Sequence, residues 1–525
     1  MSPTLSNIFQ GDLHAIFNES CNPVDLNGQS FNSLSWADDL ILVSTSQAGL
    51  QNCLTSLNTY CIKWDISINI SKTCCMIMSK KKCKSNTQLS INGESLSYVD
   101  KTSYLGFLIT STLDHKAMMN DRILKANRAA YLLRMAISTG GYNINVKLAL
   151  TLFDKMISPI LLYGCSVWGL PKTSNLLYID NVPDSIGDTR SQTDYVIHGI
   201  LGEHIELKYT KRIGRKVNNL PQTILLETKY LQDKLKLLYS SNQNELTMPQ
   251  LRNYDFKIEN MAYELMHCRF LKFVMNVNKY ASNSAIRGEL GRLPLTIKIS
   301  SLCVKYWHRM ATGSTPNELL KCAYQSERGI SSTWLHNIEY LLRTNGYGDV
   351  WYTYDKWSST HVYIMLKNRL SDQYVQNWFS NSPLKAQGMD GLKTSYILSD
   401  YLVKIISTPM RAIFSKLRIN NSILKCSMRG VGDSNCPMCD DDCSNETVSH
   451  FVLECKQLEA ERKKFMLNLT SCVSGFEQLS KQEQLVCILD LKCAAGNDEI
   501  EDEFVNITVS FVKEIYTIRS NYNNK

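Results

Sequence analysis

Ser33-Leu34-Ser35-Trp36-Ala37-Asp38-Asp39-Leu40-Ile41-Leu42-Val43 sets two adjacent carboxylates between short apolar runs. The pattern reads as a β-hairpin with an acidic pair at its tip. Side chains alternate along extended backbone, so neighbouring aspartates there diverge, whereas a tight turn lets both face one site. Asp is also at ease in turn conformations. Paired carboxylates of this kind hold divalent metal for phosphoryl or nucleotidyl transfer, where two ions clamp the attacking and leaving oxygens. A surface turn with two solvated acids fits the same residues, and this stretch by itself leaves both readings open.

Neighbouring motifs bear on that choice. Ser2-Pro3-Thr4-Leu5-Ser6-Asn7-Ile8-Phe9 lies upstream; Asn69-Ile70-Ser71-Lys72-Thr73 and Tyr104-Leu105-Gly106-Phe107 lie downstream. In order and spacing, these segments and Trp36-Ala37-Asp38-Asp39 resemble the palm of a reverse transcriptase of the non-LTR (LINE-like) retrotransposon type. The resemblance implies that Asp38 and Asp39 are catalytic ligands of Mg2+. It implies that Lys72 lies near the departing pyrophosphate as a general acid, although an exposed lysine at a strand start fits as well. Trp36 would stand where the primer end approaches, and Leu105 and Gly106 would form the turn that grips it. Ser158-Pro159-Ile160-Leu161-Leu162-Tyr163-Gly164 is similar to the segment that follows the thumb in these elements. Gly288-Glu289-Leu290-Gly291-Arg292-Leu293-Pro294-Leu295 is similar to one found C-terminal to the polymerase.

The family's third metal-binding Asp and its basic finger residues precede the Ser-Pro-x-Leu segment. This chain begins inside that segment, at Met1-Ser2-Pro3. It therefore reads as the C-terminal portion of such an enzyme, truncated at its N-terminus. Two carboxylates without the third position metal poorly, so the polypeptide is expected not to polymerise alone. Trp36 replaces the usual Tyr or Phe, Ser6 an expected Phe, and Asp65 a Gly. The alternative is a non-catalytic module that holds RNA or DNA. Partners expected from the resemblance are an RNA template and a DNA primer or target.

At 525 residues the chain is long enough for several domains. Its 44% hydrophobic and 20% charged content is that of ordinary globular protein. A net charge of +8 permits phosphate binding without establishing it. Basic residues cluster at Lys80-Lys81-Lys82, from Lys208 to Lys216, and at Lys463-Lys464. The first cluster follows a strand at Met76 to Met78, where the resemblance would pass a primer–template duplex. Any such run also fits a solvated face. The 18 cysteines are scattered, no secretory signal opens the chain, and the apolar run from Ile157 to Leu170 is too short to span a bilayer. These features read as an intracellular protein of the nucleus or cytoplasm, without membrane association; no oligomeric state is specified.

One cysteine group stands apart. Cys436, Cys439, His450 and Cys455 have the spacing Cys-x2-Cys-x10-His-x4-Cys. Two thiolates on a turn and a second pair from a following helix complete a tetrahedron around Zn2+, a closed and therefore structural site. Cys426 and Cys443 are nearby substitutes for the fourth ligand, and chance proximity in a Cys-rich chain is the alternative. The group also resembles the C-terminal knuckle of these retroelements.

The expected fold is α+β: a partial reverse-transcriptase palm followed by a helical thumb, a mainly α-helical C-terminal region and a small zinc knuckle. The boundaries are palm 1–112, thumb 113–170, insertion or linker 171–260, helical connection region 261–385, knuckle region 386–470 and helical tail 471–525. Helices are expected near Leu5 to Phe17, Leu50 to Trp64, Asp114 to Ile137, Asn145 to Met156, Leu225 to Leu238 and Glu499 to Arg519. Arg122, Lys125 and Arg128 punctuate the periodicity of the third of these and would face nucleic acid in a thumb. Aromatic residues between 261 and 385 read as bundle core, with base stacking as the alternative.

Overall fold

The computed structural model describes residues 2–79, 88–139, 143–170, 176–180, 188–201, 204–213, 223–228, 250–253, 261–315, 317–329, 333–380, 392–419, 421–424, 426, 435–439, 445–470, 475–492 and 498–523. Lys80, Lys81, Lys82 and Cys443 lie outside them. The chain forms two compact units, one of residues 1–170 with 261–525 and the other of 171–260. Helices dominate, and the sheets are small.

In the first unit, the helix Gln47–Lys63 organises the N-terminal segment. Its buried positions Cys53, Leu54, Leu57, Tyr60 and Cys61 follow helical spacing, and the last four pack with Leu13, Cys75, Leu89, Ile91 and Leu96 in one cluster. Ser46 caps the helix by accepting from Gly49 N–H at 3.0 Å. Gly49 itself is required: a Cβ there would lie 2.6 Å from the Cys21 carbonyl oxygen and 2.5 Å from Ser44 Oγ. The expected first helix is shorter than read, Ser2–Phe9, and a separate 3-10 turn covers Leu13–Ile16.

His115–Thr139 is one long helix that buries Met118, Arg122, Ile123, Ala126, Ala130 and Leu133. It joins Val146–Leu152, the π-turn Phe153–Ile157 and the helices from Ala262 to Ser380 in one continuous core that runs on to Asp498–Asn523. The tryptophans of this region mostly serve packing. Trp307 is buried and stacks on Trp351 with ring centres 4.9 Å apart, while Trp378 donates to Ser284 O at 2.9 Å.

In the second unit, four antiparallel strands pair in the order Leu207–Ile213, Thr223–Thr228, Leu176–Asp180, Gln250–Asn253, and the helix Thr189–Leu201 packs on them. Strand, not helix, therefore begins the stretch from Leu225, and 229–238 lies outside the described residues. A short apolar run such as Ile224-Leu225-Leu226 suits either element, and pairing on both sides decides for the strand. No helix among the described residues is long and apolar enough to cross a membrane.

Candidate nucleic-acid interface and metal centre

The acidic hairpin forms as its sequence implies. Strands Ser33–Trp36 and Asp39–Leu42 pair antiparallel with Trp36 opposite Asp39, leaving Ala37 and Asp38 as a two-residue turn. Ala37 takes the left-handed conformation, φ +54°, that lets such a turn follow the twist of its strands. Trp36, Asp38 and Asp39 are all exposed. The strands beneath are fixed from behind. Buried Asn32 donates through Nδ2 to the carbonyls of Cys21 and Val43, each at 3.2 Å, and the His14 ring bridges Ser33 Oγ at 2.6 Å and Ser35 Oγ at 3.1 Å. Asn69-Ile70-Ser71-Lys72-Thr73 is a self-capped turn in which Asn69 Oδ1 accepts from Lys72 N–H at 3.2 Å, leaving Lys72 exposed.

A second hairpin lies close by. Lys101–Tyr104 and Phe107–Thr110 pair around Leu105 and Gly106, both at positive φ. That is the left-handed pair of a tight hairpin turn; Gly106 adopts it freely, and Leu105 at a cost of roughly 1–2 kcal/mol. Burial, and then the negative charge of Asp39, push the Tyr104 phenol above its usual value, which relates this turn to the acidic pair. Leu105 O accepts from Tyr163 Oη at 2.9 Å, and Gly106 O accepts from Arg122 Nη2. Arg122 thus departs from its expected place on an open basic face. It is buried, held by Asp121 at 2.9 Å and laid over the Tyr163 ring. Lys125 is half-buried and pairs with the same Asp121 at 2.9 Å, whereas Arg128 is exposed.

Residues 1–109, which hold the acidic pair and the Leu105-Gly106 turn, match one known family.

They match Reverse transcriptase (RNA-dependent DNA polymerase).

Two curated relatives from Drosophila melanogaster are similar to the chain. The probable RNA-directed DNA polymerase from transposon BS is 27% identical over 218 residues, 36% of this chain and 23% of the relative. The RNA-directed DNA polymerase from mobile element jockey is 24% identical over 186 residues, 34% of this chain and 19% of the relative. The aligned part thus spans less than a quarter of each relative's length. The reverse-transcriptase match supplies the context that the Asp pair alone lacks. Two adjacent carboxylates offer the hard oxygen donors that Mg2+ takes alongside substrate phosphates. Among the described residues, no third metal-type side chain converges on Asp38 and Asp39.

The described residues do converge elsewhere, beyond the matched segment. The donor atoms of Cys436, Cys439, His450 and Cys455 all lie within 4.8 Å of one another. Cys436 Sγ is 4.0 Å and Cys439 Sγ 3.7 Å from Cys455 Sγ, and Cys439 Sγ is 3.6 Å from His450 Nε2. A tetrahedron with metal–sulfur bonds of about 2.3 Å and metal–nitrogen bonds of about 2.0 Å has edges of about 3.5–3.8 Å, so the donor set fits a metal ion. Local backbone explains the convergence. Cys455 N–H donates to His450 O at 2.7 Å in a π-turn, His450–Glu454, which brings residues five apart together; in an α-helix they would sit about 140° around the axis. Burial raises the Cys436 thiol; burial and then the neighbouring Cys436 push Cys455 up to about 12; burial lowers the His450 imidazole. Arg462 donates to the Cys455 carbonyl, and Glu446 beside the cluster is buried against Arg519 Nη2 at 3.1 Å. Motif reading missed Tyr163, Glu446 and Arg519 in these roles, because each meets a backbone or side-chain partner remote in sequence.

Proposed function

We propose that this chain is part of a non-LTR retrotransposon reverse transcriptase and binds an RNA template paired with a DNA primer. The supporting observation is the exposed Asp38-Asp39 pair on its two-residue hairpin, beside the Leu105-Gly106 turn and inside the reverse-transcriptase match. Asp38 and Asp39 are the residues that would hold Mg2+, which when bound stabilises charge on the attacking and leaving oxygens. Exposed Lys72 serves as the donor of a proton to the leaving group. Exposed Arg128 serves the duplex phosphates. Residues 1–112 correspond to palm and 113–170 to thumb. Cys436, Cys439, His450 and Cys455 hold Zn2+ in a structural knuckle, since four protein donors leave no open position. With no third metal-type side chain converging on the adjacent Asp38 and Asp39 among the described residues, the 525-residue chain alone binds duplex without extending it.

The test is duplex binding and primer extension by the full chain, with an RNA template, a DNA primer and Mg2+. Binding that weakens steeply with salt, without extension, is expected. Extension abolished by Asp38→Ala would overturn the inactivity; absence of duplex binding would overturn the nucleic-acid role itself.

A further inference from the structure

The carbonyls of a free hairpin tip bond to water. At the Leu105-Gly106 turn both are instead taken by side chains from two other elements. Tyr163, just beyond the helix Ser158–Leu161, donates to Leu105 O at 2.9 Å, and Arg122, on the helix His115–Thr139, donates to Gly106 O. The two donors brace each other, since the Arg122 guanidinium carbon lies 5.2 Å from the Tyr163 ring centre. Asp121 fixes the guanidinium from the side at 2.9 Å. Gly164, at φ +71°, completes the contact: a Cβ there would come within 2.7 Å of the Phe107 ring, so the strand leaving the turn packs directly on the backbone after Tyr163. An arginine with 6% exposure, spent on a turn carbonyl, is a costly way to satisfy a group that water would satisfy. What the clamp secures is position. With its carbonyls held by Tyr163 and Arg122, the tip leaves the Leu105 side chain 38% exposed, next to Tyr104, whose phenol feels the charge of Asp39.

We propose that Arg122 and Tyr163 are positioning residues that pin the Leu105-Gly106 turn. The end of a bound primer resting on Leu105 is thereby kept in register with Asp38 and Asp39. This rests on the function proposed above. Arg122 acts through the turn and not on phosphate, which separates it from Arg128 on the same helix.

The experiment uses the full chain and an RNA–DNA duplex whose recessed primer carries 2-aminopurine at its 3′ terminus, with a second duplex labelled internally. In the unaltered chain, binding changes the terminal signal more than the internal one. Tyr163→Phe and Arg122→Gln are expected to lose about half or more of the terminal response, with duplex affinity kept within about twofold, because each removes one tether and no phosphate contact. Arg122→Lys keeps the charge without the planar fork and should recover little of it. Tyr163→Phe removes one hydroxyl from a half-exposed ring, so it tests the proposal even where Arg122→Gln fails to fold. An unaltered terminal response in both variants, or a loss that merely tracks falling affinity, overturns the clamp. No binding of either duplex by the unaltered chain is instead the failure of the duplex-binding function, whereas binding without a larger terminal than internal response overturns the positioning role alone.

Discussion

Glu289 and Arg418 stand 129 positions apart in the chain and meet in its core, with Arg418 Nε 3.1 Å from both carboxylate oxygens. Ser399 Oγ donates to Glu289 at 2.7 Å, while Arg418 Nη1 reaches Leu489 O at 3.0 Å and Asp490 at 3.1 Å. One buried ion pair thus joins the Gly288–Leu295 segment to the helix Thr408–Arg418 that leads towards the cysteine cluster. Breaking a buried pair from one side leaves a charge without its partner. Glu289→Met should therefore destabilise by about 3–5 kcal/mol, and Glu289→Met combined with Arg418→Met should cost less than the sum of Glu289→Met and Arg418→Met made singly. Denaturant unfolding of the three variants measures this; additive costs would show that the two residues do not act as a pair.

Gly288 sits where no side chain fits. A Cβ would fall 2.1 Å from the Trp378 ring, which is anchored through Nε1 to Ser284 O. Gly288→Ala must displace that ring and should cost about 1–3 kcal/mol as overpacking. It should also change the intrinsic tryptophan fluorescence of the folded state. An unchanged spectrum with unchanged stability would mean that the ring has room to move.

Removing the metal should loosen the C-terminal helix. Glu446 lies on the cluster's own stretch, between Cys439 and His450, and pairs with buried Arg519 on Asp498–Asn523, so ordering the cluster supports docking of that helix. Protein prepared with zinc and reduced thiols is expected to retain one zinc per chain after dialysis, and Cys455→Ser to retain markedly less. Chelation should speed proteolysis within Asp498–Asn523. Elemental analysis reads the first result and mass mapping of the fragments the second; a chain that keeps no zinc refutes the site.

Acid should weaken this fold through its buried histidines. Burial lowers the imidazoles of His267 and His308, which stay neutral in the folded chain while the unfolded chain takes up protons near pH 6.5. The unfolded state then holds more protons, so their contribution is complete above about pH 7 and declines as pH falls through about 6.5, by at most about 1.4 kcal/mol per pH unit for each histidine. His308 Nε2 donates to Tyr354 O at 2.8 Å, and Gln can supply the same donor without titrating. Melting curves at pH 7.5, 6.5 and 5.5 should show a shallower pH dependence for His308→Gln than for the unaltered chain. Equal slopes would remove His308 from the account.

Much of the local structure was legible in the sequence. Alternating apolar runs around Asp38-Asp39 specified a hairpin because a two-residue turn is a local event. The spacing of Cys53, Leu54, Leu57, Tyr60 and Cys61 specified a helix face, and Cys-x2-Cys with a later His and Cys specified a donor set. What escaped was the use to which charged and aromatic side chains are put across the fold. Periodicity gave Arg122 a place on its helix but not a partner, and that partner is a carbonyl at the tip of another hairpin. Nothing in the local sequence marks Glu289, Arg418, Glu446 or Arg519 for burial, yet all four are buried. Sequence by itself determined the Asp38-Asp39 hairpin and the helix Gln47–Lys63, because short-range hydrogen bonds and periodic apolar contacts are written over a few residues, whereas at Leu225 pairing across the sheet was needed to decide for strand. Only the tertiary structure decided which charges are buried and which turns are pinned, because desolvating a charge is tolerable only where distant segments bring its partner within hydrogen-bond reach.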